Sequence, residues 1–119
     1  MLIAYYSLTG NVSRFIDKLG EPSIEIDSVN PFIDVDEPYI IVAPTYDIEM
    51  TEPINDFIEH NPLDLFKGVI GSGNLNFADL YVFTAKDISE EYNVPMLYAF
   101  EYSGTAEDVA EIKKLVKEL

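Results

Sequence analysis

There is no cysteine among the 119 residues of the chain. Disulfides, thiol redox chemistry and thiolate metal sites are therefore excluded. Histidine occurs once, as His60, so neither a Ser/His/Asp nor a Cys/His nucleophile set can be assembled. Basic residues are scarce, with seven Lys and Arg against 22 Asp and Glu and a formal net charge of −15. No basic patch can neutralise phosphates, which argues against a nucleic-acid or anionic-membrane binder. The start lacks a basic segment followed by an apolar one, and no apolar run approaches the ~18 residues of a membrane span. The expectation is a soluble, cytoplasmic protein. What the chain does have is apolar substance: 48% hydrophobic and 13% aromatic residues, enough for a core and too much for disorder. Its length fits a single domain, residues 1–119.

Apolar runs of strand length alternate with segments of helical period. Leu2–Tyr6 and Tyr39–Ala43 are continuous apolar runs, expected as central strands buried on both faces. Ser23–Ile26 is a short strand, Gly68–Ile70 starts a fourth that runs into "GSGNLNF", and Met96–Phe100 is a fifth. Between them Val12, Phe15, Ile16 and Leu19 mark a helix ending at Gly20, before Pro22. Ile54, Phe57 and Ile58 mark a second. Tyr81, Ala85, Ile88 and Tyr92 mark a third, closed by Asn93. A final helix carries Val109, Ile112, Val116 and Leu119 behind a capping box of Thr105 and Asp108. Strand–helix alternation of this kind predicts an α/β fold: a doubly wound, five-stranded parallel sheet of order 2-1-3-4-5 with helices on both faces. Ligands of such sheets sit at the carboxyl ends of the strands, where the order reverses.

Three loops converge there: Ser7–Asn11, Pro44–Thr51 and Gly71–Phe77. The first, "SLTGN", joins a strand to a helix through hydroxyls, a glycine and an amide, with no charged residue. A helix N-terminus offers unpaired amides and about half a positive charge, and small residues let a phosphate approach them. The same turn is also an ordinary strand–turn–helix with Thr9 or Asn11 as N-cap. It lacks the lysine of a P-loop and is not G-x-G-x-x-G, so a nucleoside triphosphatase or nicotinamide dehydrogenase is not expected. "PTYDIEMTEP" adds Tyr46, and "GSGNLNF" adds Ser72, Gly73, Asn74, Asn76 and Phe77. Aromatic faces with amide and backbone groups suit a flat heteroaromatic ring. Phe77 serves core packing equally well, and the two asparagines serve turn formation. One phosphate loop and two ring loops describe a mononucleotide site, with FMN the best match.

"SLTGNVSRFIDKLG", "VDEPYIIVAPTY", "GVIGSGNLNF" and "ISEEYNVPMLYAFEYSGTAEDV" resemble, along almost the whole chain, the NrdI flavodoxin-like proteins. The resemblance implies a flavodoxin-like fold and an FMN cofactor. It also implies a partner, the radical-bearing dimanganese small subunit of class Ib ribonucleotide reductase, activated by superoxide from reduced flavin, together with a separate flavin reductant. By position, it places Ser7, Leu8, Thr9, Gly10, Asn11 and Val12 at the phosphate. Pro44, Thr45, Tyr46 and Asp47 border the ring, and Ser72, Gly73, Asn74, Asn76 and Phe77 lie around its far side. There is no catalytic acid or base.

The chain departs from that pattern in two places. Leu75 stands where the family usually has an arginine, and Asp47, Ile48 and Glu49 stand where it usually has a glycine-rich segment. Without glycine, positive φ is costly in that loop. Competing functions are a general flavodoxin-type electron shuttle and a flavin-free interaction module. A phospho-receiver shares the strand order but needs acidic residues where Tyr5, Tyr6 and Ser7 stand. Asp34, Asp36 and Glu37 lack the spacing of a calcium loop, and His60 is expected to cap a helix end.

Overall fold

The computed structural model describes residues 1–76 and 81–119, leaving the side chain of Ile48 aside. Five parallel strands pair in the order β2-β1-β3-β4-β5. They are β1 (Leu2–Tyr5), β2 (Ser23–Glu25), β3 (Tyr39–Ala43), β4 (Phe66–Gly73) and β5 (Met96–Glu101), with helices α1 (Asn11–Leu19), α2 (Ile48–His60), α3 (Phe83–Tyr92) and α4 (Ala106–Glu118).

The period of two along each strand sorts the core into two layers. Tyr39, Ile41, Ala43 and Val69 face α2 and α3, where Ile54, Phe57, Ala85 and Ile88 are buried. Ile3, Ile40, Val42 and Ile70 face α1 and α4, against Phe15, Leu19, Val109 and Ile112. All five residues of β3 are buried, the expected signature of a central parallel strand. Tyr39 stacks on Phe66 at 5.4 Å between ring centroids and meets Phe57 edge-on at the same distance. Phe66 and Lys67 therefore belong to β4, which begins two residues before the expected Gly68.

Several boundaries move. Tyr6 and Ile26 lie one residue beyond β1 and β2, although both amides still bond across the sheet, to Val42 and Tyr5. The Pro44–Thr51 loop is shorter than expected, because α2 starts at Ile48. The amides of Met50 and Thr51 donate to the Asp47 carbonyl at 2.9 and 3.2 Å, and that turn winds directly into the helix. Pro53 sits inside α2; it removes one backbone donor without ending the helix. Leu119 lies beyond α4 and is half exposed, so it is not part of that helix's apolar stripe. Asn93 closes α3 in the left-handed conformation, and both halves of the Thr105/Asp108 capping box form.

His60 does not cap α2. Its Nε2 lies 2.7 Å from Asp34 Oδ1, while Asn61 fastens the helix end. The Asn61 amide nitrogen donates to the carbonyls of Phe57 and Ile33 at 3.0 Å, and its oxygen accepts the Val35 amide at 2.9 Å. The connection from β2 to β3 is thereby tied to α2.

Candidate functional site

At the carboxyl ends of β1, β3, β4 and β5 lies a cleft of about 210 Å³, at the reversal of strand order where doubly wound sheets bind ligands. The β1–α1 turn forms one wall with Ser7, Leu8, Thr9 and Asn11. The cap of α1 is Gly10, at φ 90, with no side-chain cap bond; neither Thr9 nor Asn11 takes that place. Ser7 Oγ instead accepts the amide of Ser13 at 3.3 Å. The amides of Asn11 and Val12 have no acceptor within the helix, as at any helix start. The Val12 side chain is in the core, so Val12 can offer a ligand only its backbone.

The charge missing from "SLTGN" arrives one helical turn later. Arg14 folds back over Gly10, and a Cβ on Gly10 would stand 2.7 Å from Arg14 Nη1. Glycine is thus favoured by its φ, and a larger residue would also push the guanidinium aside. Arg14 Nη2 donates to Asn11 Oδ1 at 2.7 Å, and the Ser103 hydroxyl donates to the same oxygen at 3.0 Å. With the oxygen engaged, the Asn11 amide nitrogen is left to point elsewhere as a donor. Unpaired amides, hydroxyls, an amide donor and a nearby cation suit a phosphate dianion. A second hollow, of about 430 Å³, lies on the other side of Ser7 and Leu8. It carries Glu25 and Asp27, whose negative charge disfavours an anion in this hollow.

Pro44, Thr45 and Tyr46 line the cleft from the end of β3. Thr84 Oγ1 accepts the Tyr46 amide at 3.2 Å and donates to the Tyr46 carbonyl at 3.1 Å. Asp47 is the exposed N-cap residue of α2 and lies outside the cleft lining. Ser72 and Gly73 at the end of β4, and Asn74 just beyond it, also line the cleft. The hydroxyls of Thr45 and Ser72 are used within the protein, donating to the carbonyls of Ser72 and Tyr102, each at 2.7 Å. Asn74 Oδ1 accepts the amide of Asn76 at 2.9 Å, so this asparagine forms the turn, as its residue type allows. Neither Gly10 nor Asn76 is in the lining, and Phe77 lies outside the described residues. Leu75 is exposed, and its amide donates to Glu101 Oε2 at 3.2 Å.

Reading the sequence missed three residues. Tyr102 lines the cleft from the β5–α4 loop; "EYSGT" at the end of a strand was the available signal. Arg14 could be suspected from its place one turn into α1. Thr84 had no local signal. Among the described residues, no cluster of three or more His, Asp or Glu could hold a metal ion, and no helix is long and apolar enough to cross a membrane.

Aromatic side chains on the wall that follows the phosphate-type turn fit a flavin nucleotide, whose ring needs flat apolar faces. A family model described as NrdI flavodoxin-like matches residues 3–114. "Protein NrdI" of Bartonella quintana (strain Toulouse) is 44% identical over 120 residues, covering 95% of this chain and 91% of the relative. "Protein NrdI" of Bartonella henselae (strain Houston 1) is 42% identical with the same coverage. Among solved structures, the Streptococcus pneumonia TIGR4 flavodoxin superposes with a TM-score of 0.66, covering 99% of this chain and 95% of that one. At 24% identity that likeness is one of fold. Fold and family are those of a flavodoxin-type flavoprotein, and the chain belongs to the NrdI flavodoxin-like family.

Proposed function

We propose that the cleft binds FMN and that the protein activates the dimanganese small subunit of a class Ib ribonucleotide reductase. The observation that supports FMN is the α1 N-terminus, where Thr9, Asn11 and Val12 line the cleft and the Arg14 guanidinium, behind them, donates to Asn11 Oδ1 at 2.7 Å. The partner rests on family membership across residues 3–114. When bound and reduced, the flavin supplies single electrons to dioxygen, giving superoxide as the oxidant for the partner. The residues of this chain bind and orient. The β1–α1 turn anchors the phosphate, Tyr46 borders the ring on a backbone clamped by Thr84, and the Thr45 and Ser72 hydroxyls hold the strand ends in register. No side chain is assigned a proton transfer. A separate reductant recharges the flavin.

Titration of the ligand-free protein with FMN and with riboflavin tests the site. Hydrogen bonds to a charged acceptor contribute about 1.5–3 kcal/mol each, so two of them give FMN at least a hundredfold advantage. Equal affinities would refute the phosphate placement, and failure to bind either flavin would leave only an interaction module. The partner is tested by adding the FMN-loaded, reduced protein, manganese and oxygen to a class Ib small subunit. Radical formation supports the role. Electron delivery to other acceptors without radical formation favours a general shuttle.

A further inference from the structure

The β5–α4 loop brings one aromatic residue to the cleft, Tyr102. Its backbone stands at φ 53, a left-handed conformation that costs a tyrosine stability and persists only where its surroundings impose it. Two hydrogen bonds do so here. The Tyr102 amide donates to the Gly73 carbonyl at 3.0 Å, and its carbonyl accepts the Ser72 hydroxyl at 2.7 Å. Because the Ser72 carbonyl also accepts the Thr45 hydroxyl, the ends of β3, β4 and β5 are joined in one chain of bonds that terminates at Tyr102.

The next residues are fixed from the opposite side. Arg14 Nε donates to Ser103 Oγ at 3.2 Å, and Lys18 Nζ donates to the carbonyls of Ser103 and Gly104 at 3.3 and 3.2 Å. Yet the Tyr102 side chain is 50% exposed, and among the described residues its hydroxyl has no hydrogen-bond partner. Tyr46 shows the same construction, with both backbone polar groups bonded to Thr84 and the ring left at the cleft. A ring with no ring or hydrogen-bond partner among the described residues, on a backbone strained and bonded at both ends by cleft residues, is poised to contact something flat.

On the FMN reading above, we infer that Tyr102 is a second aromatic wall of the site and contacts the flavin ring rather than the phosphate. The consequence is specific. A ring contact serves FMN and riboflavin equally, whereas a contact near the phosphate serves FMN alone.

The test is titration of the full chain and its variants with both flavins. Tyr102→Leu should weaken FMN and riboflavin by the same factor, roughly tenfold, as expected for loss of one aromatic stack. Tyr102→Gly, which suits the left-handed backbone and so keeps the loop folded, should show the same loss. Tyr102→Phe should restore both affinities. Unchanged affinities in the leucine and glycine variants, beside a wild type that binds FMN, overturn the inference and leave the FMN reading standing. Loss of FMN affinity alone also overturns it, because Tyr102 would then act at the phosphate. A wild type that binds neither flavin overturns both readings together.

Discussion

Replacing Ser72 with alanine removes one oxygen from a nearly closed site, since Ser72 is 5% exposed. That oxygen donates to the Tyr102 carbonyl at 2.7 Å, the usual length of an O–H···O bond. No apolar contact is lost, and the gap is smaller than a methyl group. The cost is therefore that of the hydrogen bond and of a carbonyl left without its donor. A net bond is worth about 0.5–1.5 kcal/mol, rising to about 3 when the orphaned group stays dry. Tyr102 is half exposed, so water can reach part of the site, and the expected loss is about 1–2 kcal/mol. For a domain of this size that lowers Tm by about 4–8 °C. Thermal unfolding of the ligand-free protein measures it, and urea titration should give a lower midpoint with an unchanged slope. Thr45→Val, which removes the donor to the Ser72 carbonyl, completes a double-mutant cycle. Adjacent bonds in one chain should couple by at least about 0.5 kcal/mol. A Tm within 1 °C of wild type, or strict additivity, would show that the three strand ends are not held by this chain of bonds.

Asn61→Ala should cost about 3 kcal/mol, because three bonds at a buried position are broken and two carbonyls and an amide are orphaned. A denaturant-derived loss under 1 kcal/mol would mean that water takes the place of the amide. Burial alone would raise the Asp108 carboxyl, but hydrogen bonds from Thr105 and the Tyr98 hydroxyl outweigh it and hold the group below the usual carboxylate range. A lowered folded value stabilises above the ordinary carboxylate pKa and is lost as pH falls through the folded one. The stability gap between wild type and Asp108→Asn should therefore narrow below about pH 4, and a gap that does not vary with pH would contradict this. Asp47 and Glu49 are both exposed at the start of α2, with no cap bond from Asp47. Coulomb's law at roughly 8 Å and a dielectric of about 20 gives about 90 mV per charge on a bound flavin, cut to about a third by solvent. Asp47→Asn with Glu49→Gln should thus raise the flavin potential by tens of millivolts, and a shift under about 20 mV would show that these charges do not tune it.

The layers of the fold were legible because burial leaves a periodic trace. Val12, Phe15, Ile16 and Leu19 repeat at the helical period and all are buried; Tyr39–Ala43 is apolar throughout and lies between two layers. Breakers and caps such as Gly20, Asn93 and the Thr105/Asp108 box act within a few residues, so their residue types disclose them. Parallel pairing then followed from strand–helix alternation, and the location of the cleft from strand order. The start of α2 was not legible. Asp47, Ile48 and Glu49 have no apolar period of their own, and Pro53 resembles a helix start more than a helix interior.

Three of the four loops that meet at the cleft were readable from the residues alone, since each follows a strand and all strands run the same way; the β5–α4 loop with Tyr102 was not. The role of each polar group there is set by its partners in the folded protein. Ser7 accepts the Ser13 amide and Ser72 holds Tyr102, while Arg14 reaches Ser103 across 89 residues and Thr84 clamps Tyr46 across 38. Hydroxyls and guanidinium groups are compatible with many partners, and residue type carries no information on which one is 3 Å away. Strand register and helix docking choose among them, and these are set by the packing of the whole core.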